Sequence, residues 1–329
     1  MINSKAYLNP KLFDDDIEQA PSRNGYGEGL VLAGEENEQV VALCADLTES
    51  TRTQEFAEKF PERFIEIGVA EQNLATIAAG MALGGKIPFI SSYATFSPGR
   101  NWEQIRTTVC YNDTPVKVIG SHAGVTVGPD GATHQALEDI AIMRSLPNMI
   151  VISPADSIEA KKATLAMARI PKPCYIRLSR DKIPVITTEQ TPFEIGKAEI
   201  LYEGKDVAVI ATGQMVYRAL LAAKEMELHK ISVRVINCHT IKPLDKQTIL
   251  KAAEDCGAIV TVEEHQITGG LGSAVAEVIT QHFPVPMKII GVQDRFGESG
   301  EPNELLTKFG LTKEAIAAAV THVLRMKGK

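Results

Sequence analysis

The sequence predicts an α/β protein of two domains, the first built on a doubly wound parallel sheet. Three observations predict it. Short β-branched apolar runs alternate with helically periodic stretches. The runs are apolar along nearly their whole length, as strands covered on both faces must be. A polar stretch with two prolines, RDKIPVITTEQTPFEIGK (180–197), then interrupts the alternation, and a second series follows it. The length of 329 residues suits about two domains of ordinary size.

In chain order, residues 1–15 read as an extended arm. The first series of strands is VVALCADL (40–47), RFIEIG (63–68), PFISSY (88–93), VKVIGSH (116–122), MIVISP (149–154) and CYIRLS (174–179). Helical periodicity marks 71–83, 135–146 and 157–170. Ser97-Pro98 suggests an N-cap followed by proline at the first helical position. Asp156 with Glu159 three residues on suggests a capping pair. The second series runs DVAVIATG (206–213), a helix at 215–228, SVRVINC (232–238), a helix at 245–256, AIVTVEEH (258–265), a helix at 273–283 and MKIIGV (287–292). The expected division is a first domain over 1–182, a linker over 183–194 and a second, smaller domain over 195–329.

Composition excludes several classes. Lys+Arg total 34 against 41 Asp+Glu, a net charge of −7, which lacks the electrostatic footprint of a nucleic-acid binder. No apolar run is long enough to span a membrane, and the N-terminus has no apolar signal segment. The five cysteines, Cys44, Cys110, Cys174, Cys238 and Cys256, are far apart. Their spacing speaks against a zinc ribbon or disulfide framework and for a reducing, cytoplasmic setting.

Ligands in open α/β sheets bind at the carboxyl ends of strands, so polar residues there are the candidates. In ADLTES (45–50), Asp46 and Ser50 have two readings, caps of the next turn or ligand contacts. Glu71 opens an Ala-rich helix that is apolar on nearly every face. The helix dipole favours a carboxylate there, yet a buried one needs a donor or a proton, and no basic residue is adjacent in sequence. Tyr93 and Phe96, three apart at a strand end, suit core packing or a platform for a planar ring. SHAGVTVGPDGATHQ (121–135) brings His122, Asp130 and His134 into one loop. Their spacing matches no usual metal-ligand pattern, and proton transfer and sugar-hydroxyl recognition suit them better. Arg23 and Arg180 stand at element ends, as surface ion pairs or as partners in bidentate phosphate capture. GGLG (269–272) lacks the spacing of a dinucleotide fingerprint. Its glycines read as allowing close backbone approach, with another subunit as one candidate neighbour.

With these stretches in order, the chain resembles the C-terminal portion of transketolase. The landmarks are SRNGYGEG, ADLTES, IEIGVAEQN, PFISSYATF, GPDGATHQ, SPADSIEA, YIRLSR and EEHQITGGLG, in family order from residue 21 onward. The resemblance implies a pyrimidine-binding domain for thiamine diphosphate followed by the family's C-terminal domain. It implies that Glu71 hydrogen-bonds the aminopyrimidine ring and favours the imino tautomer that deprotonates the thiazolium. It implies that Phe96 stacks on that ring, with Tyr93 and Asp46 lining the pocket. His134 would meet the reacting end of the substrate, and Asp130 a substrate hydroxyl. Arg23, Ser50, His122 and Arg180 would anchor a phosphate. A third pocket aromatic common in the family falls near Pro98-Gly99-Arg100, where this sequence has none.

The family's GDG…N motif for magnesium and diphosphate is absent from this sequence. The resemblance therefore implies a split enzyme, with a separate N-terminal subunit carrying diphosphate and Mg2+, in a two-plus-two heterotetramer. Its reaction would be transfer of a two-carbon ketol unit between sugar phosphates. The rival readings are the β subunit of a 2-oxo acid dehydrogenase, a deoxyxylulose-phosphate-synthase-like enzyme, and a non-catalytic regulatory paralogue.

Overall fold

The computed structural model describes residues 1–328 and has the expected α/β architecture. The first half contributes β1 (Gln19–Ala20), β2 (Val40–Cys44), β3 (Phe64–Glu66), β4 (Ile87–Tyr93), β5 (Lys117–Ser121), β6 (Ile150–Ile152), β7 (Cys174–Arg177) and β8 (Ile183–Pro184). The second half contributes β9 (Glu199–Tyr202), β10 (Val207–Ala211), β11 (Val233–Asn237), β12 (Thr240–Lys242), β13 (Ile259–Gln266) and β14 (Met287–Val292). A seven-stranded sheet has the order β12-β6-β7-β5-β4-β2-β3, and a five-stranded sheet the order β14-β13-β10-β11-β9. Both sheets are parallel except at one edge, where β12 and β9 run antiparallel to their neighbours. Strands β2, β4, β5 and β7 are buried almost throughout, which is why their sequences are apolar without alternation.

The strand order fixes where a ligand can enter. From β2 the chain crosses to β3 on one side, then returns to β4 and β5 on the other. This is a topological switch point, where crevices open beyond the strand ends. The helix at Glu71–Leu83 starts and ends as its sequence predicts. The helix at Ser157–Arg169 starts on Asp156, whose carboxylate accepts the Glu159 N–H at 2.9 Å. Glu159 reaches back to the Ala155 N–H at 2.6 Å rather than to that of Asp156.

Several expectations are corrected. Ser97-Pro98 does not open a helix: its peptide is cis and residues 94–100 form tight turns, with helical structure beginning at Trp102. Ser97 Oγ accepts from the Asn101 amide instead of capping a turn. The 135–146 helix is helical only over Asp139–Arg144, because Gln135 spends its amide on loop carbonyls. Ser22–Glu36 forms a helix that the sequence pattern does not announce. Its glycines, a poor helix signal, are demanded by packing: a Cβ at Gly25 would lie 1.7 Å from the Ser157 carbonyl oxygen.

The arm and the 183–194 stretch are packed rather than free. Leu12 and Ile17 are buried in a core cluster shared with the second sheet. Residues β1 and β8 pair antiparallel, and the Ile186 and Thr187 N–H groups both donate to the Asp156 carboxylate. The GGLG glycines approach this chain's own Glu263, which accepts from the Leu271 and Gly272 N–H groups at 2.7 and 2.8 Å. A Cβ at Gly270 would meet that carboxylate at 1.9 Å, so the close approach is explained without a second subunit.

Candidate functional site

Glu71 is the first residue of its helix and is 1% exposed. Gly68, at φ +75°, turns the chain from β3 into that helix. The Glu71 carboxylate accepts a 2.6 Å hydrogen bond from Arg100, and its carbonyl accepts from Asn101 at 2.9 Å. The donor that a buried carboxylate needs is not adjacent in sequence but comes from afar: the turn after β4 returns Arg100 to Glu71 across 29 positions of sequence. That turn requires Gly99, since a Cβ there would sit 1.9 Å from the Thr95 carbonyl oxygen. The Arg100 guanidinium also lies over the Phe96 ring, 4.6 Å from its centroid. Arg100 thus stands near where the family pattern suggested a third aromatic.

Phe96 and Tyr93 face the loop that leaves β5. Ring centroids are 5.4 Å apart for Phe96 and His134, and 4.0 Å for Tyr93 and His122. His122, at φ +56°, has Nδ1 2.9 Å from Ser121 Oγ and Nε2 3.0 Å from Arg23 Nη1. An arginine only donates, so Nε2 accepts and the imidazole is neutral with its proton on Nδ1. Burial, then Arg23, Arg180 and Arg52, push the His122 pKa down to about 3. Arg23 also donates to the Ser50 carbonyl at 2.7 Å.

An unbroken run of contacts therefore links Glu71, Arg100, Phe96, His134, Tyr93, His122, Arg23 and the Ser50 backbone. Arg180 joins it through the loop, donating to the Val127 carbonyl at 2.7 Å. Asp130 is exposed at the tip of that loop, and Asp46 is exposed at the end of β2, neither reaching the run. The Asp46 N–H donates to Glu66, at 2.7 Å; its own carboxylate caps no turn among the described residues.

Two residues essential to this geometry were not singled out from sequence. Gln135 braces the loop by donating to the carbonyls of Val125, Gly128 and Glu298. Glu264, at the end of β13, lies beneath it and accepts the Thr126 N–H at 2.8 Å. Gly124 has φ +90°, and a Cβ there would lie 2.3 Å from the Glu264 carboxyl carbon. Glu264 also meets Gln214 and stands 4.0 Å from Arg177, so the second half of the chain positions the loop of the first. The adjacency EEH at a strand end was the available signal.

A flat group that stacks on Phe96 while donating to Glu71 suits this site, because the Arg100 guanidinium already makes both contacts. A cavity of about 550 Å³ opens beside Glu71, Asn73, Thr76 and Arg100. Among the described residues, no group of three or more His, Cys, Asp and Glu is placed to hold a metal. No helix there is long and apolar enough to cross a membrane.

A two-domain α/β chain with its polar loops gathered at a sheet switch point is a recurring frame for cofactor-dependent enzymes. The chain belongs to the transketolase family: residues 18–185 match the transketolase pyrimidine-binding domain and 196–316 the transketolase C-terminal domain. It is 46% identical over 306 residues to the "Putative transketolase C-terminal section" of Methanocaldococcus jannaschii, covering 92% of this chain and 96% of that protein. It is 40% identical to the 6-deoxy-6-sulfo-D-fructose transketolase subunit SqwH of a Clostridium species, covering 96% and 98%. A solved split-gene transketolase, described as an inactive β4 tetramer, superposes with a TM-score of 0.88 at 46% identity, covering 93% and 99%. The family implies thiamine diphosphate as cofactor.

Proposed function

We propose that the chain is the pyrimidine-binding subunit of a split transketolase, active with a separate N-terminal subunit in a two-plus-two assembly. The carrying observation is the unbroken run from Glu71 to Arg23, which joins a cofactor-type pocket to an anion-type pocket beyond the carboxyl ends of the strands of one sheet. Glu71 would accept the pyrimidine ring's hydrogen bond, with Phe96 against its face and Tyr93 and Asp46 at the margins. Diphosphate and Mg2+ would belong to the partner. Bound thiamine diphosphate supplies the electron sink for breaking and remaking a carbon–carbon bond.

The chain's residues bind, orient and move protons around that chemistry. Burial keeps water from the Glu71 carboxyl, so its hydrogen bond to a ring nitrogen would be strong. His134, beside Phe96, would exchange a proton with a substrate hydroxyl at the reacting end. Asp130 would read another hydroxyl once the loop tip meets substrate. Arg23, Ser50, His122 and Arg180 would hold the terminal phosphate and fix the sugar's register. The names of the relatives, a C-terminal section and a subunit, support the need for a partner.

The test is to combine the chain with its N-terminal subunit and assay xylulose 5-phosphate with ribose 5-phosphate, against pyruvate as control. Ketol transfer should require both subunits and thiamine diphosphate. Glu71→Ala should abolish it; near-normal turnover by that variant would sink the assignment, and pyruvate turnover would favour the 2-oxo acid dehydrogenase reading. The name of the Clostridium relative makes 6-deoxy-6-sulfofructose a second donor worth assaying.

A further inference from the structure

The turn after β2 is clamped to the helix at Ser22–Glu36 at two points. Arg23 donates to the Ser50 carbonyl, and Arg52 Nε donates to Asn24 Oδ1 at 3.0 Å. Packing tightens the clamp, since a Cβ on Gly27 would lie 2.8 Å from the Arg52 carbonyl oxygen and 2.9 Å from its Cβ. Arg52 also holds a left-handed backbone at φ +64°. Its exposed side chain is therefore held beside the helical turn that carries Arg23, while Arg180, just after β7, is tied to the loop through the Val127 carbonyl.

These groups form a cationic cluster that no carboxylate pairs by hydrogen bonding. Among the described residues, the hydrogen-bond partners of Arg23, Arg52 and Arg180 are carbonyls, an amide oxygen and a neutral imidazole, with no carboxylate. Arg23 Nε is buried without any partner. Burial and then Arg52, ahead of Arg180, push the Arg23 guanidinium below its ordinary range. Glu28, Glu49 and Glu55 share with Arg52 the lining of a polar cavity of about 180 Å³, and none of them forms an ion pair with it among the described residues. Three like charges held together with an orphaned donor are a site for an anion of more than one charge.

We propose that Arg52 is the third guanidinium of the terminal-anion site and gives it a preference for a doubly charged phosphate monoester over a singly charged sulfonate. The proposal rests on the ketol-transfer reading for the identity of the ligand. Its physical basis is independent of that reading: each cation attracts a dianion about twice as strongly as a monoanion at equal distance. Removing one cation of three therefore narrows the discrimination between them.

The test uses the full chain paired with its N-terminal subunit and two donors, xylulose 5-phosphate and 6-deoxy-6-sulfofructose. Arg52→Gln should raise KM for the phosphorylated donor about tenfold and for the sulfonated donor about threefold, with kcat little changed. Arg52→Lys should recover most of the difference by restoring the charge. A second readout needs no turnover: inorganic phosphate at about pH 8, where it is mostly the dianion, should raise the thermal midpoint of the full chain more than methanesulfonate does. Arg52→Gln should erase that difference. Equal KM changes for both donors, or phosphate stabilisation untouched by Arg52→Gln, would overturn the proposal. If wild-type subunits transfer no ketol unit while phosphate stabilisation still depends on Arg52, the functional reading fails and the anion site stands.

Discussion

Arg177→Met should unfold the bridge that carries the functional loop. Arg177 is 7% exposed and donates to Asp139 at 2.9 and 3.2 Å, to the Glu264 carbonyl at 2.7 Å and to the Ala136 carbonyl at 3.3 Å. It also faces the Glu264 carboxylate at 4.0 Å, while Tyr175 donates to Asp139 at 2.7 Å. Methionine conserves most of the volume but leaves two buried carboxylates without their cation. Breaking one buried pair costs about 3–5 kcal/mol, so a loss of about 4 kcal/mol and a thermal midpoint lower by roughly 10 °C are expected. Burial already holds Glu264 above the usual carboxylate range, with Arg177 the first group pulling it back. A carboxyl raised in the folded state penalises folding above its unfolded pKa and not below it. The loss should therefore be largest at neutral pH and shrink in acid. Calorimetry at about pH 7.5 and pH 5 reads both points. Because Thr126 hangs on Glu264, the variant's KM for sugar phosphate should rise more than kcat falls. An unfolding loss under about 1 kcal/mol, or one equal at both pH values, would refute the reasoning.

Two other variants probe the site itself. Gly99→Ala places a methyl 1.9 Å from the Thr95 carbonyl and should displace Arg100 and Phe96, destabilising by about 1–3 kcal/mol. Cofactor affinity of the assembled enzyme, followed by fluorescence titration, should drop with it; unchanged affinity would show that the turn does not position the pocket. His122→Asn should remove an acid sensitivity. A histidine whose folded pKa is lowered to about 3 binds fewer protons folded than unfolded, so its contribution is intact above about pH 6.5 and lost toward pH 3. Denaturant unfolding between those limits should be flatter in the variant, and an imidazole signal of His122 that titrates near pH 6.5 by NMR would contradict the geometry.

The elements legible in sequence were those whose local pattern and final environment agree. The buried parallel strands read as continuous apolar runs, and the helix at Glu71–Leu83 is Ala-rich with a glycine before it. Helix Ser157–Arg169 announces itself by the Asp156 cap. The helix at Ser22–Glu36 was hidden because the glycines that let it lie against Ser157 and Thr164 are weak helix formers. Pro98 resembled a first-turn proline, but a cis bond and a chain of tight turns shape that segment. β12 was missed because three residues from the second half join the edge of the first sheet, a pairing without local signature.

The same division holds in the site. Sequence alone determined which strand ends carry polar groups, and resemblance assigned them to a cofactor end and a phosphate end. Tertiary structure decided which of them meet: Tyr93 reaches His122, Phe96 reaches His134, and Asp46 and Asp130 stay exposed. It also supplied Arg100 for Glu71, Glu264 for the loop, and Arg52 beside Arg23. Periodicity and capping report interactions within a few residues. The charge of a carboxylate or guanidinium is balanced by whatever lies within a few ångströms, and only the folded chain sets those neighbours.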